Sequence, residues 1–354
     1  MNLIQLRKKI DALDAKIVSL LNDRAAISKE IGKEKIKHNR EVYSPDREKE
    51  VLNRVKNLNK GKMPDAALQA IYREIMSCSL SIEKPLDIAV LGNPGSYTYS
   101  AAKEIFGMQV KYLSCNKIPE IFQRVEQGEC DYGVVPIENS TEGAVTWTFD
   151  MLVDSELKIR RQHLKEISHN LLSLTKDLNS IRTVYSNPQV LDQCRNWLAS
   201  HLPQAKTIVV ASTTEAAEIA RERKNVAAIA SIEAAQVYGL NVIRKGVQDI
   251  AHNTTRFLVI GENDAAPTGK DRTSILFSIK DRVGALYSML APFYQNKINL
   301  TKIESRPSKR KAWDYYFFVD FEGHRLDKNV KRALSRLEDM CKYLKILGSY
   351  PVLE

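Results

Sequence analysis

From Leu6 to Ile31 the apolar positions advance in alternating steps of four and three: Leu6, Ile10, Leu13, Ile17, Leu20, Ile27 and Ile31. That rhythm predicts one long helix of the kind that packs side by side with others. Arg24 breaks it, standing four residues after Leu20 and three before Ile27, where an apolar residue is due. A second helix is predicted from "SPDRE", with Ser44 as N-cap and Pro45 at the first helical position, where a missing N–H costs nothing. It runs through Val51, Leu52, Val55 and Leu58 to the stop "NKGKMP". A third, about 66 to 83, carries Ile71, Ile75 and Ile82 on one stripe, interrupted by Ser79. Three such helices enclose little interior, so association with a second copy is expected.

At "EKPLDIAVLGNPGSYTYSAAKEIFG" the period changes to strand, turn and helix, and the alternation continues through "DYGVVPIENSTEG", "IRTVYSNPQVLDQCRNWLAS", "KTIVVASTTEAAEIARERK" and "VAAIASIEAAQVYGL". Repeated strand–helix units predict a mostly parallel sheet, or two small ones, with ligands beyond the carboxyl ends of the strands. "ENDAAPTGKDRT" reads as a linker. From Thr273 the order strand, helix, strand, strand, helix, strand predicts a ferredoxin-like module. The fold class is therefore multidomain: all-α helices over 1–84, an α/β portion over 85–263, and an α+β module over 271–354.

At 354 residues, 44% hydrophobic and 27% charged, the chain is expected to be globular with more than one core. No apolar run is long enough to span a bilayer, so no membrane role and a cytoplasmic location are expected. Five scattered cysteines without a CxxC pair argue against a disulfide or metal framework. The net charge of +10 suits either nucleic acid or small anionic substrates. Basic residues are interspersed with acids and not interleaved with aromatics, which disfavours nucleic acid.

Arg24 and Lys35 lie eleven residues apart, close to three helical turns, and so share a face over about 16 Å. Ser28 leaves room between them. Arg7 lies near the helix start, Arg47 and Glu48 open the second helix, and Ser79 and Glu83 lie one turn apart on the third. This set offers cations and polar groups but no nucleophile, which suits a reaction that needs a flexible dianion held in a reactive shape. Residues 3 to 83 resemble the helical chorismate mutases, which convert chorismate into prephenate. The resemblance implies that Arg7, Arg24, Lys35 and Arg47 bind substrate carboxylates, that Glu48 holds the ring hydroxyl, and that Ser79 meets a carboxylate. It further implies pockets shared between two subunits, with Arg7 reaching into its partner's. Ser44 stands where an acid is familiar, and Glu83 where a glutamine donates to the ether oxygen. Glu83 can donate only when protonated, so mutase activity is expected to fade as pH rises through its pKa.

The turns "GNPGSYTY", "PIENSTEG" and "YSNPQ" concentrate hydroxyls and amides: Ser96, Tyr97, Asn139, Ser140, Thr141, Asn187 and Gln189. "GNPGSY" is not GxGxxG, which disfavours a dinucleotide. With "NTTRF" at 253–257 the set resembles prephenate dehydratase from about Leu86 to Glu262. Loss of water and carbon dioxide from prephenate is driven by aromatisation, so a hydroxyl donor and an orienting clamp suffice. The resemblance implies Thr255 as the essential catalytic residue, Arg256 as a substrate carboxylate ligand and Phe257 as a pocket wall, with no cofactor and no metal.

The last module resembles the ACT type of amino-acid sensor. "GALYSML" presents backbone N–H groups at Gly284, Ala285 and Leu286, and "ESRP" (Glu304, Ser305, Arg306, Pro307) matches the second ligand segment. The resemblance implies a bifunctional enzyme of phenylalanine biosynthesis, inhibited by L-phenylalanine, working as a homodimer or a tetramer of paired dimers. The alternative is a non-catalytic amino-acid-sensing regulator whose basic helices meet a partner or nucleic acid.

Overall fold

The structure, a computed structural model, describes residues 2–38, 41–279, 282–308 and 315–352. The chain forms two compact units. One comprises the residues up to Asp87 together with Phe106–Lys111, and the other Ile88–Ile105 together with Tyr112 onward.

The first unit holds helices α1 (Leu3–Lys37), α2 (Pro45–Leu58) and α3 (Asp65–Glu83). Asn2 and Gln5 form a reciprocal capping box that starts α1. The heptad seam of α1 does not pack inside the chain as expected. Leu6, Ile10, Leu13, Ile17, Leu20, Ile27 and Ile31 are all exposed, Leu20 by 66%. The helix instead meets α3 along the face of Arg24, Ser28 and Gly32, and Ser28 and Gly32 are its buried residues. The reason is distance: a Cβ on Gly32 would lie 2.7 Å from the Cα of Glu83 and 2.8 Å from its carbonyl oxygen. Backbones approach that closely only across small residues, and the bulky seam could not. Ser44 occupies the N-cap position of α2 with extended backbone, but its side chain caps nothing.

The second unit begins with a lobe of β1 (Asp87–Leu91), α4 (Tyr97–Phe106), β2 (Lys111–Cys115), α5 (Ile118–Glu126), β3 (Tyr132–Asn139), β4 (Gly143–Ala144), α6 (Thr146–Asp154) and β5 (Lys158–Glu166). The chain then crosses to a second lobe of β6 (Asn170–Ser173), β7 (Thr183–Ser186), α7 (Pro188–Gln193), α8 (Arg195–His201), β8 (Lys206–Val209), α9 (Thr213–Ala220), β9 (Val226–Ala230), α10 (Ile232–Tyr238) and β10 (Asn241–Arg244). It returns as β11 (Thr254–Gly261) to the first lobe, whose sheet runs β2-β1-β3-β11-β5, with β4 paired to β3. The second sheet runs β10-β6-β9-β7-β8. Two small sheets are thus present, but they are mixed. β1 and β3 pair in parallel, as do β7 with β8 and with β9, whereas β11 is antiparallel to both β3 and β5. The double crossing explains this: β5 leaves for the second lobe and β11 comes back from it.

A C-terminal module follows: β12 (Asp271–Ser278), α11 (Ala285–Gln295), β13 (Leu300–Pro307), β14 (Tyr315–Glu322), α12 (Lys328–Met340) and β15 (Tyr343–Pro351). Its sheet order β13-β14-β12-β15 is the expected ferredoxin-like one. One face, with Ile275, Phe277, Val319 and Phe321, is covered by the two helices. The other face packs on the first lobe, where Leu276, Phe318 and Tyr350 share a core with Phe149, Ile159 and Leu258. At Gly348 the approach is closest, since a Cβ there would lie 2.4 Å from the carbonyl oxygen of Ile159.

Candidate active sites

In the helical unit, Arg24 reaches from α1 to α3, where its guanidinium donates to the Ser79 hydroxyl and, at 3.5 Å, to the carbonyl of Ile75. Ser79 is buried because its hydroxyl also donates back to that carbonyl, at 2.8 Å. Three turns along, Lys35 donates at 2.8 Å to Glu83 Oε2 and at 2.8 Å to the carbonyl of Val42. Arg24, Lys35, Ser79 and Glu83 therefore form one row between two helices. Lys35 engages Glu83 as an acceptor, so the structure gives this carboxylate an ion pair where the sequence suggested a donor.

Of the other expected residues, Arg47 and Glu48 open α2 and Arg7 lies near the start of α1. Arg47 pairs with Glu50 at 2.6 Å on the exposed face of α2. Glu48, in the same first turn, has its backbone N–H on the Ser44 carbonyl at 3.0 Å. Arg7 is exposed near the start of α1, about 25 Å along the helix from Arg24.

Between the two lobes of the second unit lies a cleft of ≈ 680 Å³. The period of two along β11 sends Thr255 and Phe257 into it and turns Arg256 away. Ser96, Tyr97, Asn139, Asn187 and Gln189 also line it, and no described lysine or arginine does.

Thr255 is held by a hydrogen-bond lattice whose directions can be worked out. Asn139 Oδ1 accepts from the Thr141 backbone N–H at 3.0 Å and its hydroxyl at 2.6 Å, which fixes the amide orientation. Asn139 Nδ2 therefore donates, at 2.8 Å to Thr255 Oγ1 and at 2.6 Å to Asn253 Oδ1. With its oxygen accepting from Asn139, Thr255 keeps its own hydroxyl proton for a group in the cleft.

A second chain meets this one. Gln193 turns its amide nitrogen to the Glu142 carboxylate, so its Oε1 accepts from Asn253 at 3.2 Å and from His169 Nε2 at 2.7 Å. His169 Nδ1 is then an acceptor, and it shares the Tyr97 hydroxyl proton, at 2.7 Å, with the Ser168 carbonyl at 2.9 Å. Burial lowers the His169 pKa from 6.5, against the opposing hydrogen bond from Gln193. Burial, followed by the Glu233 and Cys194 charges, holds the Tyr97 phenol well above 10. Both groups are neutral near pH 7, and the chain is a set of fixed dipoles. Because the folded pKa of His169 is lowered, the stability it carries is present above 6.5 and is lost as pH falls below it toward the folded value. Urea midpoints on either side of 6.5 should show that loss, and His169→Gln should shrink it.

The structure corrects two expectations here. Ser140 does not line the cleft; its hydroxyl accepts from the Thr254 N–H at 2.9 Å, pinning the ends of β3 and β11. Arg256, 5% exposed, faces the C-terminal module. It donates through Nη1 to Asp320 at 2.6 Å and Glu138 at 3.1 Å, and through Nη2 to the Tyr350 hydroxyl at 2.7 Å. Its pKa is raised further by the Tyr350, Asp320 and Glu138 charges, although burial opposes them. A clamp so occupied has no reach into the cleft.

Sequence reading missed His169, Gln193, Asn253 and the run Ser212, Thr213, Thr214, which lines the cleft at the start of α9. "VVASTTEAAE" has the strand-then-hydroxyl form of the turns that were noticed, and Asn253 opens "NTTRF". His169 and Gln193 carry no such signal.

In the C-terminal module, Gly284 is the N-cap of α11 at φ 74, followed by buried Ala285 and by Leu286, 37% exposed. Glu304 and Arg306 point to the first lobe, where Arg306 lies 5.7 Å from the Phe149 ring centre, while Ser305 and Pro307 are exposed.

Three family models match in sequence order: chorismate mutase type II over residues 6–84, prephenate dehydratase over 88–265 and the ACT domain over 273–339. The bifunctional chorismate mutase/prephenate dehydratase of Aquifex aeolicus is 47% identical over 351 residues, covering 98% of this chain and 97% of that relative. Among solved structures, the prephenate dehydratase of Arthrobacter aurescens in complex with L-Phe is 32% identical with a TM-score of 0.70, covering 75% of this chain and 90% of that one. GqqA, described as a novel type of quorum quenching acylase, is 30% identical with a TM-score of 0.69, covering 75% and 98%. On the full-length match, this chain belongs to the bifunctional chorismate mutase/prephenate dehydratase family.

Proposed function

We propose that the helical unit rearranges chorismate to prephenate and that the interlobe cleft converts prephenate to phenylpyruvate, with L-phenylalanine bound by the C-terminal module as feedback inhibitor. The observation that supports the second reaction is the Thr255 hydroxyl, which lines the cleft and whose oxygen accepts from Asn139, leaving its proton for a ligand. As the ring carboxylate leaves as carbon dioxide, its bonding electron pair enters the ring. The ring hydroxyl departs with a proton as water, and Thr255 donates to that departing oxygen. Phe257 walls the ring, and recognition of the dianion falls to donors including the side-chain amides of Asn187 and Gln189, with Ser96 beside them on the cleft wall, its own proton on the Leu91 carbonyl.

In the first reaction Arg24 and Lys35 grip the two carboxylates of chorismate between α1 and α3, with Ser79 and Glu83 beside them. Arg47 and Glu48 open α2 toward the ring end. The exposed seam of α1 is covered by a second copy, which brings Arg7 to the partner's pocket, so the working form is at least a homodimer. The reactions need no partner outside the cytoplasm.

Purified protein given chorismate should consume it and accumulate phenylpyruvate. Consumption without phenylpyruvate, or the reverse from added prephenate alone, would remove one of the two activities. Equilibrium dialysis with labelled L-phenylalanine should show saturable uptake, and linear uptake would remove the feedback claim.

A further inference from the structure

Thr255 and Asn139 face the cleft, and the residues beside them, Arg256 and Glu138, face the opposite way. The two pairs lie in register across β3 and β11, Thr255 opposite Asn139 and Arg256 opposite Glu138. The outward pair is held by the C-terminal sheet through the two terminal nitrogens of Arg256 and through the Glu138 carboxylate. Asp320 on β14 and Tyr350 on β15 hold Arg256, and Ser274 on β12 donates at 2.5 Å to Asp320 and lies 2.8 Å from the Tyr350 hydroxyl. Lys302 on β13 ion-pairs with Glu138. Lys302 precedes Glu304 by two residues on the same face of β13, so it adjoins the segment assigned to the amino-acid ligand. The lattice is buried: Arg256 and Asp320 are 5% and 7% exposed, and Ser274 and Tyr350 are enclosed.

We propose that Arg256 is a positioning residue rather than a substrate ligand. Its guanidinium fixes the ends of β3 and β11 against the C-terminal sheet, so that Thr255 meets Asn139, and Lys302 on Glu138 carries displacement of β13 to the same two strands. The geometry is a lever of one residue: rotation of β11 that loosens Arg256 necessarily turns Thr255, because neighbours on a strand share one backbone. Lysine cannot replace this arginine, since one ammonium nitrogen cannot stand in both places from which Nη1 meets Asp320 and Glu138 and Nη2 meets the Tyr350 hydroxyl. The transmission half rests on the proposed phenylalanine feedback; the positioning half does not.

Two variants of the full chain separate the possibilities. Arg256→Lys keeps the charge and should lower dehydratase kcat by about 10- to 100-fold with KM within about threefold, because a misplaced donor costs rate and not binding. Mutase activity should not change. A raised KM with kcat intact would identify a carboxylate clamp and overturn the proposal, as would no effect on either constant. Lys302→Met should leave phenylalanine uptake close to wild type, while raising the phenylalanine concentration that halves the variant's own uninhibited rate by about tenfold. Equal inhibition of the variant and the wild type overturns the transmission half. If wild type takes up no phenylalanine, the feedback reading falls and takes that half with it, and Arg256→Lys still judges the rest.

Discussion

Replacing Thr255 by alanine should lower conversion of prephenate to phenylpyruvate by about 10²- to 10³-fold, the usual cost of deleting one preorganised donor. Consumption of chorismate should be unchanged. The expected size follows from the lattice around the residue. Asn139 Nδ2 occupies the Thr255 oxygen at 2.8 Å, and Asn139 is itself held through Oδ1 by Thr141. The hydroxyl oxygen is therefore held in place before substrate arrives, and its proton is left over for a group in the cleft. Thr255→Ser should keep most of the rate, since it retains the hydroxyl and the contact with Asn139. Following phenylpyruvate formation from added prephenate checks both variants. An alanine variant that stays within a few-fold of wild type would falsify the donor role, and loss of both activities would mark a damaged fold instead.

The second large effect is expected at Arg24. Arg24→Ala should reduce mutase kcat/KM by about 10²- to 10³-fold, comparable to loss of one charge-stabilising donor from an enclosed site. Dehydration of added prephenate should continue at the wild-type rate. Arg24 is half-buried and donates to Ser79, so its charge already sits between α1 and α3 beside the Lys35–Glu83 pair. Arg24→Lys is not a mild change at this place, because a planar fork binds a carboxylate through two parallel donors and an ammonium does not. Measuring chorismate disappearance at saturating and limiting concentrations tells binding from rate. A variant whose mutase kinetics match wild type would show that the row between the helices is not the pocket.

Arg24 was visible in the sequence because it violates a period, and such violations are where local rules yield to chemistry. The seam it interrupts was misjudged. Counting apolar steps finds a stripe but not what covers it, and only the close approach of Gly32 to Glu83 shows which face of α1 packs within the chain. The fold order was readable because the period switches from helical to strand-and-helix near Asp87. "TTRF" was half legible. Alternation along a strand already places Thr255 and Phe257 on one side and Arg256 on the other, and assigning all three to one pocket overlooked that geometry. Ser140 failed for a related reason, since a hydroxyl at a strand end serves the neighbouring backbone as readily as a ligand. His169 and Gln193 belong to the part no linear pattern reveals. They lie 24 residues apart, and folding alone brings the imidazole against the amide.

The bare seam at Gly348 limits how the C-terminal module can move against the first lobe. With the carbonyl of Ile159 where a side chain would begin, β15 and β5 meet backbone to backbone at this point. A hinge needs space to swing, and at the Gly348–Ile159 contact none is left. Sliding of one sheet over the other needs only that the surfaces stay smooth, so shear is the movement this contact permits.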